Sequence, residues 1–98
     1  MIYKEFPSEV IRQSVLLGQS DPEHGIEFVE AGSWQSDGKW EYREYIFKHA
    51  GKYYSVVDSR TGSYYTDYYY ESREDWGEAI KCAEVEKKEI TIHKWVSI

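Results

Sequence analysis

One segment constrains the fold more than any other: residues 52–70, which contain seven of the ten tyrosines of the chain. The pattern predicts two β-strands on either side of a turn at residues 59–62. Because successive side chains of a strand point to opposite faces, large rings would lie on both faces of a sheet. One face can close a hydrophobic core, and the other must be covered or remain an aromatic surface suited to binding.

Length and composition limit the class of protein. Ninety-eight residues make one domain, residues 1–98, and the single cysteine, Cys82, excludes an intramolecular disulfide framework. The sequence contains neither an export signal nor a long apolar run, which predicts a cytoplasmic protein without a membrane partner. Twelve basic residues against 18 acidic ones give a net charge of −6, which argues against nucleic acid as a partner.

The first third of the chain predicts one helix. Residues 1–6 suit a short strand or an extended arm, and Pro7 and Ser8 are typical of a helix start. The helix would end at Gly18. The apolar cluster at residues 15–17 also suits a strand, so that alternative stays open.

The middle of the chain predicts an antiparallel meander. A strand from Ile26 carries an irregularity before Gly32, and Asp37-Gly38 is a strong hairpin signal. The next strand, residues 40–49, alternates with a period of two, and strands over residues 53–58 and 63–71 follow. One set of alternating positions in residues 40–49 comprises Trp40, Tyr42, Glu44 and Ile46, and the other comprises Glu41, Arg43, Tyr45, Phe47 and His49.

The last third of the chain is compatible with more than one secondary structure. Residues 73–86 suit either a helix that begins near Ser72 or a turn followed by a strand from Ala79. Residues 90–98 alternate over their whole length and predict a strand. The expected fold is therefore α+β, with a mostly antiparallel sheet (the meander plus a C-terminal strand or hairpin) and one N-terminal helix packed on one face.

No motif identifies a reaction. The three histidines are far apart in sequence and Cys82 has no CxxC partner, so we expect neither a metal nor a cofactor. The best catalytic constellation is His49, Asp58, Arg60 and Asp67, and a small hydrolase or nuclease would use His49, Asp58 and Asp67. The simpler interpretation of Asp58 is a turn residue, whose carboxylate accepts hydrogen bonds from nearby backbone amides.

One short motif resembles a known group of proteins. Residues 60–70, RTGSYYTDYYY, together with Trp95, resemble small uncharacterised proteins encoded by phages and prophages, in which an Arg-x-Gly-Ser turn leads into an aromatic, Thr-Asp, aromatic strand. The resemblance covers residues 40–96. It implies a mobile-element origin and no assigned activity.

The hypothesis that best fits these patterns is a non-enzymatic, acidic interaction protein. It would be a phage accessory protein that binds or inhibits a host macromolecule, with a protein as the partner, because tyrosine and tryptophan commonly anchor interfaces. Trp95 would either mediate a homodimer contact or be a core residue at the end of a central strand. The residues predicted to bind are Tyr45, Tyr65, Asp67, Tyr69 and Trp95.

Overall fold

The computed structural model describes residues 1–63, 66–88 and 93–98; the side chains of residues 63, 66 and 67 also lie outside the described part. Its strands are β1 (Tyr3–Pro7), β2 (Glu27–Ala31), β3 (Gln35–Asp37), β4 (Trp40–His49), β5 (Lys52–Ser63), β6 (Thr66–Tyr70) and β7 (Ala79–Val85). Its helices are α1 (Ser8–Gln13), α2 (Glu71–Glu74) and the 3-10 helices Val15–Leu17 and Pro22–His24.

All the strands of the described residues belong to one antiparallel sheet. The order is β1-β7-β5-β4-β2, with β3 paired to β4 and β6 paired to β5. The two longest strands, β4 and β5, pair along ten residues, from Trp40 opposite Thr61 to His49 opposite Lys52. The predicted α+β fold, its meander and its N-terminal helix are confirmed.

The turn between β4 and β5 fixes the register of this central pair. Only Ala50 and Gly51 separate His49 from Lys52, and both have positive φ angles, 51° and 79°. Positive φ at both central residues is the conformation of a type I′ turn, whose twist matches that of paired strands. The turn therefore sets which side chains of β4 and β5 share a face.

The hydrophobic core lies between one face of the sheet and α1 with the 3-10 helix that follows it. Because the pattern of residues 40–49 has a period of two, Tyr45 and Phe47 face this core. Phe47 is fully buried and packs edge-on to Phe6 at 5.1 Å between ring centroids and stacked on Tyr54 at 5.7 Å. The buried apolar residues are Phe6, Ile11, Val15, Ile26, Tyr45, Phe47, Tyr54, Val56 and Cys82.

The turn predicted at residues 59–62 is wrong, because β5 continues through them to Ser63. Arg60 pairs with Glu41 of β4 on one side and with Tyr70 of β6 on the other, so the chain is held as a strand from both sides. Gly62, with φ of 141°, lies where the β5–β6 register shifts. The glycine permits a bulge there rather than a chain reversal.

In the C-terminal third, the structure decides between the two alternatives for residues 73–86 and differs from the prediction for residues 90–98. Strand β7 occupies Ala79–Val85, which confirms the strand alternative for residues 73–86, and α2 precedes it as a single helical turn. The strand predicted over residues 90–98 is absent from the described part of that segment, since residues 93–98 form neither helix nor strand. Residues 90–92 lie outside the described residues. No helix of the described chain is long and apolar enough to cross a membrane.

Candidate functional site

The face of β4 and β5 that forms the core changes character along its length. Beyond Tyr45 the next residues of the same face are Arg43 and Glu41, and their partners on β5 are Asp58 and Arg60. Directly opposed residues of an antiparallel pair have neighbouring side chains. The register alone therefore brings two arginines and two carboxylates together at one end of the sheet.

A cavity of about 380 Å³ opens at this end, between the sheet, the N-terminal helical segment and α2. It is lined by Arg12, Leu16, Leu17, Trp34, Arg43, Tyr45, Asp58, Arg60, Tyr70, Ser72 and Arg73. The sequence contains four arginines, and all four line this cavity. No lysine is among the lining residues. An acidic chain thus concentrates its guanidinium groups in one place.

Arg60 is held rigidly in the wall of the cavity. Its guanidinium carbon lies 4.1 Å from the centroid of the Trp34 ring and 4.4 Å from that of Tyr68. Its Nε donates to Glu41 Oε1 at 3.1 Å, and a terminal nitrogen donates to the Tyr70 hydroxyl at 3.4 Å. Burial acts to lower the pKa of Arg60, but the hydrogen bonds to Tyr70 and Glu41 raise it above its ordinary value. This arginine is charged at every physiological pH.

Arg43 is oriented by one backbone hydrogen bond and one ring. Its Nε donates to the Gly32 carbonyl at 2.8 Å, and its guanidinium lies 5.2 Å from the centroid of Tyr45. The guanidinium also interacts with the Tyr45 hydroxyl, where it acts to lower the pKa of that group. The terminal nitrogens are not engaged by the Gly32 carbonyl, and they are the groups that Arg43 can offer to a ligand.

The two remaining arginines come from helices on the other side of the cavity. Arg12 of α1 donates to the Ser72 carbonyl at 3.0 Å, and Arg73 of α2 lies over the Tyr70 ring at 4.6 Å. Within the described part of the chain, no carboxylate forms a salt bridge with Arg12, Arg43 or Arg73. Among the described residues, no carboxylate competes with an external anion for these three guanidiniums in a salt bridge.

Asp58 connects the floor of the cavity to α2. It is 4 % exposed, and its carboxylate accepts hydrogen bonds from the backbone N–H of Ser72 at 3.0 Å and from the Ser72 hydroxyl at 2.8 Å. The prediction that Asp58 is a turn residue is wrong, because it lies within β5. Its partners are 14 residues away, and they fix the helical turn that carries Arg73.

Comparison with known proteins agrees with the phage resemblance at the level of the family. A family model described as Phage T4 Y04K protein matches residues 3–98. The chain belongs to this family. No curated protein and no solved structure matches it. Membership in the Y04K family supports a small phage protein, while the specific Arg-x-Gly-Ser motif stays a prediction.

In this member of the Y04K family, the predicted binding residues that the structure describes do not form one site. Tyr45 is buried and lines the cavity, and its pKa is raised by burial against the opposing charge of Arg43. Tyr69 lies on the opposite face beside Trp40, 37 % exposed, and a hydrogen bond to Asp75 raises its pKa to about 12.

Of the other three predicted residues, the side chain of Trp95 alone belongs to the described structure. Trp95 is fully exposed in the C-terminal segment, so the alternative that made it a core residue is wrong. Tyr65 and the side chain of Asp67 lie outside the described residues. The binding roles of Tyr65, Asp67, Tyr69 and Trp95 stay predictions.

Two members of the catalytic combination considered from the sequence have described side chains, His49 and Asp58, and the structure does not bring these two together. His49 is at the turn end of β4 and packs edge-on to Phe6, with Nδ1 3.1 Å from the Gly25 carbonyl oxygen. Asp58 pairs with Arg43, six residues away along β4, which corresponds to about 20 Å. His49 and Asp58 therefore cannot act on the same bond in this arrangement.

One exposed loop groups potential metal ligands. Single ligand atoms of Asp21, Glu23 and His24 lie within 4.8 Å of one another. Asp21 caps the 3-10 helix by accepting a hydrogen bond from the His24 backbone N–H at 3.3 Å, and its other oxygen lies 2.8 Å from His24 Nδ1. The grouping is accounted for by the helix cap.

Sequence reasoning missed most of the cavity. The period of two in residues 40–49 places Arg43 beside Tyr45, so this member of the site could have been found. Arg12, Trp34 and Arg73 reach the cavity only because α1, the segment before β3, and α2 converge there. The spacing of these residues in the sequence does not predict that the three segments meet.

Proposed function

We propose that this chain is a non-enzymatic interaction protein of a phage, which binds a host protein in the cytoplasm and inhibits or redirects it. In this proposal the arginine-lined cavity receives an anionic group of the partner. The observation that carries the proposal is the convergence of Arg12, Arg43, Arg60 and Arg73 on one cavity of a chain whose net charge is −6.

Charge and rigidity both support a binding role for the cavity. Guanidinium groups present planar arrays of N–H donors that match carboxylate and phosphate oxygens. Three of the four guanidiniums lie over aromatic rings, which restricts their motion before a ligand arrives. A preorganised site loses less side-chain entropy on binding.

The competing hypothesis, a hydrolase or nuclease using His49, Asp58 and Asp67, finds less support. A general base and its partner must reach one reacting group, and His49 and Asp58 are about 20 Å apart along the β4–β5 pair. Asp58 is also engaged by both donors of Ser72. These contacts suit a structural carboxylate better than a catalytic one.

Capture of a partner from host lysate, with matched variants as bait, tests the proposal. The double variant Arg43→Gln/Arg73→Gln removes two charges from the cavity, and Lys39→Gln/Lys81→Gln removes two exposed charges outside it. We expect the wild type and the lysine variant to capture the same stoichiometric partner, and the arginine variant to retain at most a tenth of it. Circular dichroism establishes that each bait is folded.

Two results would contradict the proposal. Equal capture by the arginine variant would remove the cavity from binding. Turnover of a phosphodiester or ester substrate that is lost in His49→Ala would favour the hydrolase hypothesis instead.

A homodimer through the C-terminal segment remains a separate prediction. Trp95, Val96 and Ile98 are exposed, and contact with a second copy would cover them. Sedimentation of the wild type and of Trp95→Ala tests it. We expect a dimer that the substitution converts to a folded monomer, and a monomeric wild type would overturn the prediction.

A further inference from the structure

The charge of the cavity indicates what kind of anion it would accept. Glu41 neutralises Arg60 from the sheet, and the remaining lining charges are three guanidiniums and the Asp58 carboxylate. The cavity therefore offers two net positive charges. A carboxylate would neutralise one of them, whereas a phosphate monoester carries about −1.5 to −2 at pH 7.

The orientation of the guanidiniums also favours a phosphoryl group. Aromatic rings cover a face of Arg43 and Arg73, so the N–H edges of these two guanidiniums are the parts left to donate. Each edge can donate two parallel hydrogen bonds to two oxygens. The three terminal oxygens of a phosphoryl group can accept from several such edges at once, and a carboxylate has only two oxygens.

The size and rim of the cavity limit what carries the phosphoryl group. About 380 Å³ is at the small end of ligand sites and suits one phosphorylated side chain. Leu16, Leu17 and Trp34 supply an apolar portion of the lining, against which an aromatic carrier can pack. The net charge of −6 would repel the continuous backbone of a nucleic acid.

We infer that the cavity binds a phosphate monoester dianion attached to an aromatic side chain, so that the group recognised on the partner protein is phosphotyrosine. This inference rests on the proposed function and specifies the chemistry of its site. It assigns Arg12, Arg43 and Arg73 as the phosphoryl-binding residues, with Arg60 as the fixed wall behind them.

Isothermal titration with matched peptides tests the inference. One peptide carries phosphotyrosine, a second carries glutamate at that position, and a third carries unmodified tyrosine. We expect the phosphotyrosine peptide to bind at least tenfold more tightly than the glutamate peptide. Its affinity should fall at least threefold from pH 7 to pH 5, because the second phosphate ionisation, with a pKa near 6, is lost while arginine stays charged.

Variants separate the cavity from general charge. Arg43→Lys keeps the charge but loses the planar pair of donors, and we expect it to weaken phosphotyrosine binding about tenfold. Lys81→Gln removes an exposed charge outside the cavity and should leave the affinity within a factor of two. Equal weakening by both variants would overturn the inference.

The remaining outcomes separate this inference from the proposed function. Equal affinity for the phosphotyrosine and glutamate peptides would overturn the phosphoryl assignment and leave anion binding to a protein intact. Inorganic phosphate or adenosine monophosphate binding as tightly as the phosphopeptide would support a phosphoryl site but overturn a protein as its source. Failure of every anion to bind would overturn both.

Discussion

The two ends of the β4–β5 pair lie on one sheet face and obey one alternation, yet they form different environments. At the turn end, Phe47 and Tyr54 are opposed and are covered by Phe6, which closes the core. At the other end, Arg43 and Asp58 are opposed, and the face opens into the cavity.

The difference between the two ends arises from what covers them. The N-terminal segment places Phe6 against Phe47 and Tyr54 at the turn end, and it buries Ile11 and Val15 in the same core. It continues to Leu16 and Leu17, which line the cavity without filling it. A single sheet face can therefore contribute stability at one end and line the proposed binding cavity at the other, and substitutions should separate the two contributions.

The largest expected effect is at the apolar end. Phe47→Ala removes a fully buried ring that contacts Phe6 and Tyr54, and we expect the free energy of unfolding to fall by about 3–5 kcal/mol. Urea denaturation followed by circular dichroism measures the change. A loss below about 1 kcal/mol would mean that this end is not the core.

Asp58 should give an intermediate effect, because it is the structural carboxylate of the polar end. Asp58→Ala leaves the buried N–H and hydroxyl donors of Ser72 without their acceptor, which we expect to cost about 2–3 kcal/mol in unfolding free energy. Asp58→Asn keeps one acceptor oxygen and should cost less in the same denaturation experiment. If the two variants were equally stable, the hydrogen bonds to Ser72 would not matter.

The ionisation of the buried Cys82 thiol measures how far the core excludes water. Burial raises the pKa of its thiol to about 12, from 9.0. The unfolded thiol ionises above about pH 9 while the folded thiol stays neutral, so this stabilisation is complete below pH 9 and is lost as the pH rises towards 12. Between pH 8 and pH 10 the wild type should lose about 1.4 kcal/mol more unfolding free energy than Cys82→Ala. An equal pH dependence of the two proteins would contradict this.

The smallest effect on stability is expected from the arginines. Arg73 is exposed and stacks on Tyr70, an arrangement that contributes about 0.5–1 kcal/mol at such sites. Arg73→Gln should therefore lower the unfolding free energy by less than about 1 kcal/mol while weakening ligand binding. A loss comparable with that of Phe47→Ala would mean that the arginine end is part of the core.

The sequence predicted the apolar end far better than the arginine end. Alternation in residues 40–49 places Tyr45 and Phe47 on one face, and the helix start at Pro7 and Ser8 supplies the cover. The same alternation could not show where the apolar face ends, because Arg43 obeys it as well as Phe47 does.

The errors have related physical causes. The Gly62 signal predicted a turn, but paired strands on both sides of β5 make it a bulge. The period of residues 90–98 is typical of a strand, yet residues 93–98 have no strand partner in the described structure. Local sequence patterns indicate the secondary structure that a segment prefers. Strand pairing depends on tertiary contacts, and so does the convergence of Arg12, Trp34 and Arg73 on one cavity.

If the four arginines form one anion-binding site, as proposed, their own NMR resonances should respond together to a bound anion. Because the chain has only four arginines, its ¹⁵N–¹H spectrum should contain four arginine Nε–H signals, all from the cavity. We expect titration with the phosphotyrosine peptide at pH 6.5 to shift at least three of them along one saturating 1:1 curve, while the exposed Trp95 indole N–H signal stays in place. Arginine signals that do not move, or that shift without saturation as they would with added sodium chloride, would contradict the account.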